Sequence, residues 1–127
     1  MNWIFALIAS AIAMGVLDGL WLGIVARSVY VNEIGELMRP KTNVAAAGMF
    51  YVLYVVGIVM LVVWQYDGAG TVALVGGGIG LLAYATYDLT NMATLEGFTW
   101  KLTAIDIVWG TLLTAAVATA GELASQL

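Results

Sequence analysis

Residues 83–111, AYATYDLTNMATLEGFTWKLTAIDIVWGT, place two carboxylates, Asp88 and Asp106, inside what otherwise reads as membrane-buried helix. A third acid, Asp18, sits in MGVLDGLWLG, residues 14–23. There is no histidine, and no Lys or Arg lies within the apolar runs that hold the three acids to neutralise them. An ionised Asp at the centre of a spanning helix costs about 2.5 to 3.5 kcal/mol on insertion scales, so acids at such positions point to function.

Outward from that stretch, four apolar runs are long enough to cross a bilayer whose core takes about 20 helical residues. They extend roughly from Trp3 to Ala26, Val44 to Tyr66, Thr71 to Asn91 and Leu102 to Gly121. Trp3, Trp64, Tyr66 and Trp100 lie near their ends, where aromatic belts form. With 127 residues, 63% hydrophobic and 9% charged, and a mean hydropathy of +1.00, the chain falls outside the soluble class. The expected fold is all-α: an integral membrane four-helix bundle forming a single transmembrane domain over residues 1–127. The first run lacks the basic leader of a signal peptide and is too long for one, so it reads as a retained span.

Arg27, Arg39 and Lys41 lie between the first two runs and Lys101 between the last two, with no basic residue on the other side. By the positive-inside rule both loops are cytoplasmic and both termini outside, N-out and C-out, in a multi-pass protein. Between the first two runs, Tyr30, Ile34, Leu37 and Met38 recur at helical spacing while Asn32, Glu33 and Glu36 take the other face. This predicts a short interfacial helix or a solvated connector, and assigns it no chemistry.

Cysteine and histidine are both absent, which removes disulfides, thiolate chemistry and His-ligated metals. Four basic residues and a net charge of −4 exclude nucleic acid as a partner. Gly15, Gly19 and Gly23 repeat at every fourth position, as do Gly76 and Gly80. Such spacing suits either a homodimer interface or close packing within the bundle.

The topology sets Asp18, Asp88 and Asp106 in the cytoplasmic half of the membrane, with Tyr51 and Tyr54 at comparable depth. Tyr84, Tyr87, Asp88 and Asn91 share one stripe of the third span. Asp18 precedes Trp21, and Asp106 precedes Trp109, by three residues. In antiparallel helices that spacing puts Trp21 on the cytoplasmic side of Asp18 and Trp109 deeper than Asp106. Asp106, near a helix start, also suits the helix dipole; Asp88, near a helix end, opposes it. Three neighbouring carboxylates need either a retained proton or added cations.

TYDLTN-x-AT with D-I-x-W-G, DGLWLG and FYVLYVVG resembles a bacterial family of small membrane proteins, domain of unknown function 2177, from about Asp18 to Gly121. The resemblance implies a four-helix membrane architecture and no established activity. Its pattern covers Asp18, Trp21, Tyr30, Phe50, Tyr51, Tyr54, Gly57, Tyr84, Thr86, Tyr87, Asp88, Thr90, Asn91, Ala93, Thr94, Asp106, Trp109 and Gly110 of this sequence. The chain departs from it at Phe98 and Thr99, where the family tends to have Trp-Pro.

The leading expectation is a transport or binding site for a cationic, proton-coupled or lipid-like small molecule. Asp18, Asp88 and Asp106 would bear the charge, Asn91, Tyr87, Tyr84 and Tyr51 would orient hydrogen bonds, and Trp21 and Trp109 would wall the pocket. One alternative is a membrane-embedded lipid-modifying enzyme, in which two of Asp18, Asp88 and Asp106 hold a divalent cation such as Mg²⁺ and the third serves as general base. Its spacing departs from the phospholipid-synthesising alcohol transferases, because Arg27 falls too late after Asp18 and Gly19. The other alternative is a non-catalytic membrane subunit. The balance leans away from an enzyme and calls for no resident cofactor.

Overall fold

Three helix starts in this chain fall where a short polar side chain accepts an otherwise orphaned backbone N–H. In a computed structural model describing residues 1–127, Asn2 accepts from the Phe5 amide at 3.0 Å, Asn43 from Ala46 at 3.1 Å and Thr99 from Leu102 at 3.2 Å. The helices that follow are α1 (Trp3–Leu20), α2 (Arg27–Ile34), α3 (Val44–Ile58), α4 (Ala69–Thr94) and α5 (Trp100–Ser125). One-turn π segments, Trp21–Val25 and Val59–Val63, extend α1 and α3. Gly68 starts α4 at φ +90° and Gly97 turns the α4–α5 loop at φ +88°, a region costly for residues with a Cβ.

Four helices are long and apolar enough to cross a membrane: Trp3–Val25, Val44–Val63, Ala69–Thr94 and Trp100–Ser125. The fold is therefore an all-α bundle of four spanning helices with α2 as a short fifth element. α4 and α5 outrun their apolar stretches at both ends, since backbone hydrogen bonding continues into polar sequence without needing hydropathy.

α5 is the central helix, packed against α4 on one side and α1 on the other. Its buried face, including Leu102, Asp106, Gly110, Leu113, Thr114, Val117, Gly121 and Glu122, follows a helical stripe. A Cβ on Gly76 would meet Ala118, and one on Gly80 would overlap the Gly110 carbonyl and Thr114. Gly76 and Gly80 thus serve the α4–α5 seam, the packing within the bundle that their spacing allowed. The close backbone approach gains dispersion contact that lipid cannot supply. Gly15, Gly19 and Gly23 have open space where a Cβ would stand.

The apolar core, with Met14, Val55, Ile58, Val59, Val62, Val63, Val72, Leu113 and Val117, fills the half of the bundle away from the acids. α3 meets α4 mainly through Val59–Val63 there, and the two helices diverge toward their other ends. At the core's far edge lies Glu122, which is buried and accepts from the Gly68 amide and from Gln126 Nε2, each at 3.1 Å. It ties the α3–α4 turn to the end of α5.

Candidate functional site

α1, α3 and α5 converge on Asp18, which is only 5% exposed. The Tyr51 hydroxyl donates to its Oδ2 at 2.7 Å, and the Trp109 indole N–H donates to Oδ1 at 3.1 Å. Both oxygens of this carboxylate are partnered, which offsets much of the cost of holding it away from water.

Asp106, 8% exposed, lies one helical turn from Trp109 on α5. The Tyr30 hydroxyl of α2 donates to its Oδ1 at 2.5 Å. The same hydroxyl accepts from the Trp21 indole N–H at 3.1 Å. Trp21 and Trp109 stack face to face, with centroids 4.3 Å apart and planes within 4°. The two Asp-x-x-Trp pairs therefore brace each other crosswise: Trp109 bonds the acid of α1 directly, and Trp21 reaches the acid of α5 through Tyr30. Burial, and next the hydrogen bond to Asp106, hold the Tyr30 phenol above its ordinary range, so that it remains a donor.

Asp88 differs from both. It is fully buried on α4, and neither carboxylate oxygen has a hydrogen-bond partner. The charged group that faces it is Asp106 of α5. Two carboxylates are both acceptors, so they face each other at low cost only with a retained proton or with a cation beside them.

All three acids line one cavity of about 410 Å³, together with Leu22, Tyr30, Ile34, Phe50, Tyr54, Ala83, Tyr84, Tyr87, Phe98 and Leu102. That volume lies within the ~300–1,000 Å³ range of small-molecule sites. No Lys or Arg lines it. The Tyr84 ring lies flat on the α5 backbone at Gly110, where a Cβ would overlap it. Tyr54 bonds Thr114 at 2.6 Å, and Thr114 in turn donates to the Gly110 carbonyl at 2.7 Å.

Of the residues expected from sequence, Asp18, Asp88, Asp106, Tyr84 and Tyr87 face the cavity. Tyr51, Trp21 and Trp109 stand behind it and orient Asp18 and Tyr30. Asn91 neither lines the cavity nor bonds any of the acids. The three acids do not form a metal cluster: no three carboxylates stand close enough to hold one ion. Asp18 is turned toward Tyr51 and Trp109.

Sequence reasoning missed Tyr30, Ile34, Phe50, Tyr54 and Phe98 as cavity residues. Tyr30 and Ile34 are one turn apart and face inward, a phase the spacing already contained. Glu33, placed on the solvated face from sequence, instead accepts from the Thr99 hydroxyl at 2.7 Å and is half-buried. α2 is thereby tied to the start of α5 and covers one end of the cavity.

No curated protein and no solved structure is significantly similar to the chain. The family described as predicted membrane protein, domain of unknown function 2177, matches residues 3–123, nearly the whole length, and the chain belongs to it.

Proposed function

We propose that the protein binds, and moves across or within a bacterial inner membrane, a small molecule bearing one positive charge, at a site on the cytoplasmic side. The observation that carries this reading is Asp88: a fully buried carboxyl with two unpartnered oxygens, aimed at a second acid in a cavity with no basic residue. A buried acid left without donors is costly to keep, and a cation supplies both the charge and the donors that it lacks. Tyr30, Tyr54, Tyr84, Tyr87, Phe50 and Phe98 offer aromatic faces and edges around that charge. Protons and the cation compete for the same pair, which couples release to pH.

The test is n-butylammonium binding to protein in phosphatidylcholine nanodiscs, followed through the infrared carboxyl bands. We expect saturable perturbation, affinity that falls as pH is lowered, and a loss of tenfold or more in Asp88→Asn. An identical response in wild type and Asp88→Asn overturns the reading. Uptake of radiolabelled tetramethylammonium into proteoliposomes then separates transport from binding alone, because that permanent cation does not cross lipid unaided.

A further inference from the structure

The cavity has a third side that neither the core nor α2 closes. Away from Val59–Val63, α3 and α4 diverge. Phe50 forms one lip of the gap and Ala83 and Tyr87 the other, while Tyr54 and Tyr84 meet edge to face at its inner end with ring centroids 6.2 Å apart. Phe50 is 42% and Tyr87 60% exposed although both line the cavity, so they face the cavity and the surroundings of the bundle at once. Phe50 lies six residues into the span Val44–Val63 and Tyr87 seven before the end of the span Ala69–Thr94. Both positions are ~10 Å from their helix ends at 1.5 Å per residue, a depth at which the surroundings are acyl chains.

The other exits are closed. Toward the loops, Tyr30 and Ile34 of α2 line the cavity, with α2 held by the Tyr30–Asp106 and Glu33–Thr99 hydrogen bonds. Toward the far end, the valine-rich core is buried and closes the bundle.

We infer that the site is loaded sideways from the bilayer, through the gap between α3 and α4, by a single-chain amphiphile with an ammonium head. The head sits between Asp88 and Asp106, and the chain leaves past Phe50 and Ala83 into lipid. This rests on the cation-binding reading of Asp88. Three features select the occupant. The wall is mostly hydrophobic, ten of its thirteen residues, and suits an alkyl chain better than a hydrated ion. The absence of any lining Lys or Arg leaves a phosphate without a partner, which disfavours zwitterionic and anionic phospholipids. A volume of about 410 Å³ holds a head and the start of one chain rather than a two-chain lipid.

The experiment compares n-dodecylammonium with n-butylammonium, which share a head group and differ in the tail, in phosphatidylcholine nanodiscs by the same infrared bands. Affinities are referred to the measured membrane concentration of each amine. Ala83→Trp, which places an indole in the gap, is expected to weaken dodecylammonium at least tenfold more than it weakens butylammonium. Ala83→Phe serves as a second, smaller plug with the same sign of effect. Equal changes for both amines, or no change for either, overturn the lateral route while leaving the cation site standing. A response to both amines that survives Asp88→Asn unchanged removes the site itself, and the inference with it.

Discussion

At the scale of single residues, the three acids have different energetics although their sequence settings look alike. Asp18 is an acceptor between two donors, the Tyr51 hydroxyl and the Trp109 indole. An Asn there turns an amide N–H₂ toward one of them. Asp18→Asn is therefore expected to destabilise the fold by about 1–3 kcal/mol, the cost of a buried donor left without an acceptor. Asp88 has no donors to lose. Asp88→Asn removes a buried charge from beside another acid, and a gain of about 1 kcal/mol is expected, as when a functional site is relieved of its strain. Thermal unfolding midpoints of the two variants in detergent, moving in opposite directions, check this; parallel losses would show that Asp88 is structural. The acids were legible in the sequence because carboxylates in spanning helices are rare. Glu122 was not, because it follows the apolar run and reads as a charge at headgroup level, whereas the turn at Gly68 folds over it.

Elements carry the next level of information. The spans could be read from hydropathy, and the opposed depths of Trp21 and Trp109 relative to their acids follow from antiparallel α1 and α5. The brace itself could not be read, because its missing link is Tyr30 on a helix of eight residues, α2, whose periodicity is too short to fix a face. Two side-chain bonds anchor that helix to α5 and its cap, Tyr30 to Asp106 and Glu33 to Thr99. Tyr30→Phe breaks the first and leaves the Trp21 indole N–H without its acceptor. Amide hydrogen exchange over residues 27–37 is expected to accelerate by tenfold or more, with α4 unchanged; uniform exchange across both would show that Tyr30 does not hold α2. The direction of the Tyr30 shift sets the pH range of this contact. With the folded phenol raised by burial and by Asp106, docking is fully present below the ordinary phenol pKa of about 10 and is lost as pH rises through the higher folded value.

For the whole molecule, the decisive feature is the unequal filling of the two halves. One half is a close-packed valine and leucine core, and the other is a cavity between helices that share polar contacts and leave a side gap. Hydropathy could not reveal this, since α3 reads as apolar along its whole length and its divergence from α4 depends on which residues widen the seam. The π segment Val59–Val63 buries Val59, Val62 and Val63 at the closed end, whereas Phe50 and Tyr54 line the cavity at the open one. The chain has no cysteine, so single cysteines report these differences directly. Ala83→Cys, at the lip of the gap, is expected to react with the lipid-permeable reagent N-ethylmaleimide in intact membranes. Val62→Cys, in the valine-rich core and fully buried, is expected to stay unmodified until the protein is denatured. Loop cysteines fix the orientation in the same preparation. With an impermeant maleimide applied from outside to cells, Asp67→Cys in the α3–α4 turn should label and Glu96→Cys in the α4–α5 loop should not, if Lys101 and the three basic residues around α2 face the cytoplasm. The reverse pattern inverts the protein and puts the acidic cavity on the outer side. Protection of Ala83→Cys together with Val62→Cys would mean that α3 and α4 close on each other in the membrane, leaving Asp88 without a lateral route to any partner.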